Sequence, residues 1–189
     1  MPIARILVWN FEFGILDAAD RPRHNLWGEF FTRAPMITLV QVETPRQVED
    51  VRQLLREYEA SLNVSLCFQG FEKELAELPG DYAPPRGRLL LAYDGGQPAG
   101  CIALRALDDE TSEMKRLYLR PGFRGQGAGR QMATAIIEEA RKLGYKRMRL
   151  DTLAAMQEAR ALYESLGFKR VEPYYHNPHS GTEFMELEL

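Results

Sequence analysis

The chain has 189 residues, of which 45% are hydrophobic and 27% charged, a composition that fits one folded domain and excludes a disordered chain. Its formal net charge of −3 argues against general binding to nucleic acids or anionic membranes, and no run approaches the ~18 uninterrupted apolar residues of a membrane span. The two cysteines, Cys67 and Cys101, have no metal-binding spacing and favour a reducing, cytoplasmic location.

The first 35 residues differ from the rest of the chain. They mix aromatic side chains with a charged break and show no sustained hydrophobic period. We expect an N-terminal extension over residues 1–35, which is either poorly ordered and translated from an upstream start, or an arm that packs against the domain or a partner chain. A homodimer is therefore one alternative. The regular pattern that begins at Met36 predicts one domain over residues 36–189.

The elements of this domain can be predicted in chain order. MITLVQVE predicts a strand, after which Thr44 and Pro45 predict the N-cap and first residue of a helix. A second helix is predicted over Phe71–Leu78, and a hairpin is predicted around Asp94-Gly95-Gly96. Further strands are predicted at EMKRLYL, RMRLDT, FKRVEPYY and FMELEL, with helices after the glycine-rich loop and at QEARALYESLG. The order β-α-α-β-β-β-α-β-α-β-β predicts a single mixed α/β domain.

Three alternating glycines, Gly125, Gly127 and Gly129, precede a helix in the stretch RPGFRGQGAGRQM. Their spacing is neither the dinucleotide fingerprint nor the nucleoside-triphosphate loop. Glycine lets the backbone approach a ligand closely, and the free N–H groups at a helix start favour anions. From Glu113 to Arg149 ten basic and three acidic residues give a local charge of +7. The pattern predicts an anion site, with a solvated helix face and a flexible turn as the alternative.

The stretch RPGFRGQGAGRQM resembles the pyrophosphate loop, R/Q-x-x-G-x-G/A, of the GNAT superfamily of N-acetyltransferases, with Arg124, Gly127 and Gly129 at the motif positions. EMKRLYLRP before it and ALYESLGF after it strengthen the resemblance, which extends over residues 36–189 in element order and leaves residues 1–35 without a counterpart. The family implies a mixed, splayed β-sheet flanked by helices, with acetyl-CoA in a V-shaped cleft between two central strands.

The resemblance also implies residues that bind the cosubstrate acetyl-CoA. The pantetheine arm is expected along Leu117, Tyr118 and Leu119. The pyrophosphate is expected on the loop formed by Arg124, Gly125, Gln126, Gly127, Ala128, Gly129 and Arg130, with Arg120 adding positive charge. Met156 stands where many family members have an asparagine seven residues before the tyrosine, so one contact on the pantetheine side is in doubt.

Three residues match catalytic positions of the family. Tyr163 in ALYESLGF matches the tyrosine whose phenol protonates the CoA sulfur, although a core tyrosine is the alternative. Glu113 and Asp151 match two positions used for the general base. Glu113 is favoured because a carboxylate partly desolvated at a strand start can act as a base near neutral pH. The alternatives are a Glu113 paired with Lys115 or with a neighbouring-strand arginine, and a water relay without a dedicated base.

Other polar side chains give weaker signals. His176 and His179 lack a third ligand, so no metal is predicted and both are expected beside the acceptor cleft. Tyr82, Tyr174 and Tyr175 are expected at the rim of the same cleft. Cys101, in the middle of an apolar run, is expected in the core.

The sequence thus predicts a cytoplasmic enzyme that transfers acetyl from acetyl-CoA to a primary amine by direct attack in a ternary complex. A compact domain without a basic or acidic tail favours a small-molecule acceptor such as an amino acid, a polyamine or an amine antibiotic. The alternative is a protein N-terminal or lysine acetyltransferase, since ALYESLGF is similar to the equivalent segment of such enzymes. A silent acyl-CoA sensor is an alternative of another class, against which the presence of both Tyr163 and Glu113 argues.

Overall fold

A computed structural model describes residues 37–62 and 70–189 of the chain. The strands are β1 (Thr38–Gln41), β2 (Arg88–Asp94), β3 (Gln97–Ala106), β4 (Thr111–Leu119), β5 (Arg147–Thr152), β6 (Lys169–Val171) and β7 (Glu183–Glu188). The helices are α1 (Pro45–Ser61), α2 (Phe71–Glu77), α3 (Ala128–Lys142) and α4 (Gln157–Ser165). The predicted N-terminal extension, residues 1–35, and Cys67 lie outside the described residues.

The predicted element order, and with it the mixed α/β class, is confirmed. The strands form one seven-stranded sheet in the order β1-β2-β3-β4-β5-β7-β6. Strands β4 and β5 are parallel, whereas the other neighbouring strands are antiparallel. The parallel pair is registered only from Thr111 opposite Arg147 to Glu113 opposite Arg149. Beyond Glu113 the two strands diverge, which confirms the splayed sheet that the resemblance implied.

Helices cover both faces of the sheet. Helix α3 packs on one face through Met132, Ile136 and Ile137, in a core that also contains Tyr163 of α4 and Met148 of β5. Helices α1 and α2 cover the other face of β2 and β3 through a second group of buried side chains, among them Val51, Leu54, Leu55, Phe71 and Leu75. Within the described ranges, no helix is long and apolar enough to span a bilayer.

Helix α1 begins where the sequence predicts. The Thr44 hydroxyl accepts a hydrogen bond from the Gln47 amide at 3.3 Å, and the Gln47 side chain accepts one from the Thr44 amide at 3.0 Å. This reciprocal capping box, with Pro45 in the first turn, fixes the helix start. The helix then carries Tyr58, four turns along, to the opening between β4 and β5.

Strand β6 is shorter than predicted. FKRVEPYY, residues 168–175, was expected to form a strand, but β6 ends at Val171 and pairs only with β7. Pro173 has no N–H for the ladder. Tyr174 and Tyr175 instead pack edge-on against Phe184, with ring centroids 5.1 and 5.2 Å from its ring. The chain therefore leaves the sheet, and this segment, residues 172–181, reaches the opening between β4 and β5.

Candidate active site

A pocket opens where β4 and β5 separate. One wall is residues 114–117 of β4, and the other is residues 150–153, at the end of β5 and just beyond it. The remaining lining comes from Tyr58, Leu62, Met156, Tyr163, Asn177 and His179. Because the facing strand edges no longer pair with each other, their backbone groups can bind an extended ligand in the manner of an added strand.

Helix α4 directs Tyr163 into this pocket. The side chain is only 7% exposed, and its ring centroid lies 5.8 Å from that of Phe168 within the core. Burial, with smaller contributions from Tyr58 and Asp151, raises the pKa of the Tyr163 phenol. The phenol therefore stays protonated at physiological pH and can donate a proton or a hydrogen bond. Tyr163 is both a core residue and a pocket residue.

Asp151 lies on the β5 wall of the pocket. Its carboxylate accepts from the Lys115 ammonium at 3.1 Å and from the Asn177 side-chain amide at 3.3 Å. The side chains of Lys115 and Asp151 are 8% and 12% exposed. Of the two carboxylates that match base positions, Asp151 is the one that lines the pocket.

Glu113 lies outside the pocket lining. Its side chain is 0% exposed, and it accepts hydrogen bonds from Arg105 Nε at 2.7 Å and from the Tyr174 hydroxyl at 2.8 Å. Burial, together with the Glu113 charge, raises the pKa of Tyr174. Both carboxylate oxygens thus have partners, which favours the alternative of an ion pair with a neighbouring-strand arginine. The role of Glu113 as a base stays a prediction.

A β-bulge interrupts β4 at the pocket wall. Cys101 pairs with Tyr118 and Ala103 pairs with Lys115, so two residues of β4, Arg116 and Leu117, oppose one residue of β3. Arg116 has a φ of 60°, which is uncommon for a residue other than glycine.

The side chain of Arg116 turns toward α2, on the face of the sheet that α1 and α2 cover. It donates two hydrogen bonds to Glu74 of α2, at 2.8 and 2.6 Å, and its guanidinium carbon lies 5.2 Å from the centroid of the Phe71 ring. Glu74 also accepts from the Tyr82 hydroxyl at 2.8 Å. Tyr82 is thus buried in this network and not at the rim of the cleft.

The glycine-rich loop leaves its backbone open. Gly125 and Gly127 have φ values of 75° and 83°, and a Cβ placed on either would meet nothing within 4 Å. Gly127 is the N-cap of α3, and within the described part of the chain no side chain caps this helix start. The first amides of α3, at Ala128, Gly129 and Arg130, therefore lack the partners that a helix interior provides. The exposed residues 124–127 and these amides form an anion-binding geometry.

The three arginines around the loop have protein partners. Arg120 binds both oxygens of Glu57 at 2.8 Å, which ties the end of β4 to α1. Arg124 Nε donates to the Leu119 carbonyl at 2.8 Å, and Arg130 Nη2 donates to the Ser165 hydroxyl at 2.6 Å. Arg124 and Arg130 remain exposed beside the loop, whereas Arg120 is engaged in the fold.

The last residues of β4 link the pocket to the loop. Leu117 lines the pocket, whereas Tyr118 faces the opposite side of the sheet, with its ring centroid 5.7 Å from that of Tyr58. Leu119 is buried, and its side chain lies 3.6 Å from the position that a Cβ would take on Gly129. The end of β4 therefore lies beside the start of α3, and residues 120–127 connect the two.

Sequence interpretation missed several residues of the pocket, among them Tyr58, Lys115 and Asn177. Tyr58 was not singled out, and burial raises the pKa of its phenol to about 12. Lys115 was considered only as an ion-pair partner, and Asn177 was not singled out. Alternation along β4 and β5 could have found Lys115, since Glu113 and Lys115 share a face of β4, as Arg149 and Asp151 share the matching face of β5.

The remaining sequence candidates occupy different positions. His179 lines the pocket, whereas His176 is exposed. Met156 also lines the pocket, and Cys101 is fully buried. In residues 37–62 and 70–189 no three of the histidine, cysteine, aspartate and glutamate side chains are grouped to hold a metal ion.

A splayed mixed sheet with a tyrosine in its cleft and an open glycine-rich helix start defines a class of acyl-CoA-dependent transferases. A family model described as Acetyltransferase (GNAT) family matches residues 48–168 of the chain. The chain is also 41% identical over 155 residues to an uncharacterized N-acetyltransferase of Schizosaccharomyces pombe, an alignment that covers 81% of this chain and 95% of the relative. The chain belongs to the GNAT family and is an acetyl-CoA-dependent N-acetyltransferase.

Solved structures have the same fold. An acetyltransferase from Streptococcus agalactiae matches with a TM-score of 0.68 at 22% identity, over 81% of this chain and 98% of that one. A GNAT family acetyltransferase from Elizabethkingia anophelis, solved with acetyl-CoA bound, matches with a TM-score of 0.55 at 20% identity, again over 81% and 98%. Acetyl-CoA is the cosubstrate of this family.

Proposed function

We propose that the acceptor is the primary amine of a small molecule, which attacks the acetyl group directly in a ternary complex. One observation carries the proposal. Strand β4 joins the open glycine-rich loop, at Leu119, to a pocket that holds both a buried phenol, Tyr163, and a carboxylate, Asp151. An acyl transfer needs these three functions along one cleft: an anchor for the cosubstrate, a proton donor and a group that binds the amine.

The loop amides from Arg124 to Arg130 anchor the cosubstrate by its pyrophosphate. Their support is the uncapped start of α3, because the helix dipole and the free N–H groups together favour a dianion. Leu117, Tyr118 and Leu119 then guide the pantetheine arm along β4. Acetyl-CoA, when bound, would supply the acetyl group as a thioester.

Tyr163 is the proposed general acid. Its buried phenol holds a proton at physiological pH and lines the same pocket, so it can protonate the departing thiolate. The bulge at Arg116 and Leu117 interrupts the β4 ladder, and a backbone N–H released in this way can polarise the acetyl carbonyl. Together these groups stabilise charge on both sides of the bond that breaks.

Asp151 is the proposed binding group and base for the amine. An ammonium acceptor loses two protons in the reaction, of which one ends on the thiol and one in solvent, while a C–N bond forms and the C–S bond breaks. Asp151 lines the pocket, and its carboxylate can receive a proton once the acceptor displaces Lys115 or Asn177 from one of its oxygens. Glu113, which Arg105 and Tyr174 enclose, could act only through an intervening group.

A thiol-release assay tests this proposal. We expect acetyl-CoA-dependent thiol release with small primary amines and little acetylation on peptide arrays that present free N-termini and lysines. The variant Asp151→Asn should reduce kcat/KM for small amines by ~10²-fold or more, because it removes the base. Strong peptide acetylation with no small-amine turnover would instead identify a protein acetyltransferase, and no thiol release with any amine would identify a sensor.

A further inference from the structure

The charged side chains of the pocket are nearly balanced. Among the described residues, Asp151 is the one carboxylate in the lining, and it already contacts the Lys115 ammonium at 3.1 Å. The other cation of the lining, Arg116, forms an ion pair with Glu74 of α2. The lining therefore contains no second carboxylate that could bind a second ammonium group of an acceptor.

The Lys115–Asp151 pair lies at the base of the cleft. Each residue is two positions beyond the last registered pair of the parallel strands, Glu113 opposite Arg149. Alternation puts all four side chains on one face of the sheet, the face on which α1 and the segment 172–181 lie. The ion pair therefore spans the point where β4 and β5 separate, and its two charges belong to opposite walls of the pocket.

An acceptor must leave both of these nearly buried charges with partners, because a desolvated charge without a partner is costly. A diamine or polyamine can satisfy Asp151, but it brings additional positive charge toward Lys115. A molecule that carries both an ammonium and a carboxylate provides a partner of opposite charge for each of the two residues. Its ammonium pairs with Asp151 and its carboxylate pairs with Lys115, so one internal ion pair is exchanged for two intermolecular ones.

We propose that the acceptor is a small zwitterion, an amine that also carries a carboxylate, and that Lys115 is the residue that recognises the carboxylate. This proposal rests on the proposed function, since it names the substrate class of the same pocket. Asn177, which donates to Asp151 at 3.3 Å, keeps that carboxylate oriented while Lys115 turns to the acceptor. The lysine has three N–H donors, so it can bind the acceptor and remain near Asp151.

The wild-type chain provides the first test, with matched pairs of amino acids and their carboxamides as acceptors. We expect kcat/KM to be at least about 10-fold higher for the acid than for the amide of each pair, the discrimination of one charge-assisted contact. The hydroxy acid that lacks the amine should compete with the acid acceptor, whereas its amide should not. Equal or better turnover of the amide would overturn the proposal and leave acyl transfer intact.

The variant Lys115→Met, similar in length and uncharged, provides the second test, with Lys115→Arg as the control that keeps the charge. Lys115→Met should reduce the acid-to-amide ratio to about 1 or below, because Asp151 is then left to favour cations, whereas Lys115→Arg should keep the preference for the acid. A ratio unchanged in Lys115→Met would show that the carboxylate is recognised elsewhere and would overturn the assignment.

Binding measurements separate this proposal from the failure of acyl transfer. If no amine supports thiol release, the proposed function fails, but calorimetry with CoA present still compares the acid with its amide in the wild-type chain. Tighter binding of the acid supports carboxylate recognition, and equal binding contradicts it. If Lys115→Met does not fold, the same comparison still tests carboxylate recognition in the wild-type chain, and Lys115→Gln replaces Lys115→Met as the uncharged variant.

Discussion

The hydroxyl of Tyr163 is the polar group of a side chain whose ring packs in the hydrophobic core. The ring packs against Phe168 and is 7% exposed, so Tyr163→Phe keeps nearly all of its packing. If the phenol protonates the thiolate, this variant should reduce kcat by ~10²-fold or more while the affinity for acetyl-CoA is largely retained. Steady-state kinetics together with calorimetric titration of CoA measure the two effects separately.

Tyr145→Phe is the matched control for this prediction. Tyr145 is also 7% exposed, and its hydroxyl donates to the Arg86 carbonyl at 2.8 Å, outside the pocket lining. We expect this variant to lose about 1 kcal/mol of stability with an unchanged kcat. Equal turnover of Tyr163→Phe and wild type would reduce Tyr163 to a packing residue.

The backbone of Arg116 offers a second prediction at this scale. Because a residue other than glycine at a φ of 60° is strained, Arg116→Gly should be more stable than Arg116→Ala by about 1 kcal/mol, the reverse of the usual order for these residues. Both variants lose the same ion pair with Glu74, so their difference in chemical denaturation isolates the backbone. If the alanine variant is the more stable of the two, the bulge is not a source of strain.

The contacts of a single residue could be predicted from the sequence only where the partners are close together along the chain. The role of Tyr163 stays a prediction, whereas its position in the pocket could be predicted because its motif is contiguous. The partners of Glu113 could not, since the Tyr174 hydroxyl lies 61 residues away in sequence and reaches Glu113 only because β6 ends early. The same early end of β6 brings Asn177 to the pocket, which local pattern does not indicate.

At the scale of elements, the start of α3 is the feature to test. Gly127→Glu adds a side chain and a negative charge where the pyrophosphate is proposed to lie, and we expect CoA affinity to fall by about 100-fold or more. Calorimetry with CoA measures this. Gly144→Glu is a close control, because Gly144 has a φ of 86° and the same open surroundings at the other end of α3. Comparable CoA affinity in both variants would argue against the loop as the anion site.

The segment 172–181 is attached to β4 by the hydrogen bond from Tyr174 to Glu113. We expect Glu113→Gln and Tyr174→Phe, which each alter this bond, to raise KM for the acceptor several-fold, since the segment carries Asn177 and His179. The value of kcat should be retained in both. A kcat reduced by ~10²-fold or more in Glu113→Gln alone would restore the prediction that Glu113 is the base.

Element boundaries could be predicted where the signal is local. The start of α1 follows from Thr44, Pro45 and Gln47, all within one turn, and the capping box forms as the residue types require. The end of β6 depends on aromatic contacts with Phe184 of β7, so the run of alternating residues up to Tyr175 overstated its length. The bulge in β4 was not predicted, because nothing in the residue types around Arg116 requires a positive φ.

For the molecule as a whole, the order of elements was enough to predict the class of fold, whereas the shape of the cleft was not derivable from it. The divergence of β4 and β5 begins where their pairing ends. The sequence of either strand taken alone does not indicate that residue. The resemblance implied the splay, and the registers show where it begins. The side chains that bridge the opening, Lys115 and Asp151, could be found only once that point was known.

Two ion pairs that tie α1 and α2 to β4 contribute to the stability of the molecule in acid. Hydrogen bonds from Arg120 lower the pKa of Glu57. Burial tends to raise the pKa of Glu74, but the hydrogen bonds and charge of Arg116 outweigh it, so the net pKa is lowered. A carboxyl group with a lower pKa in the folded than in the unfolded chain contributes stability that is complete above the unfolded value of about 4.3 and is lost as the pH falls through the folded value.

We therefore expect the free energy of unfolding to fall steadily as the pH is lowered from about 5 to 3. Glu74→Gln should be less stable than wild type at pH 7, since it removes one charge of a mostly buried pair, and its stability should fall less steeply with acid. Urea titrations at a series of pH values measure both slopes. Glu77→Gln, an exposed carboxylate on the same helix, controls for net charge, and a wild-type slope in Glu74→Gln would mean that other groups govern acid unfolding.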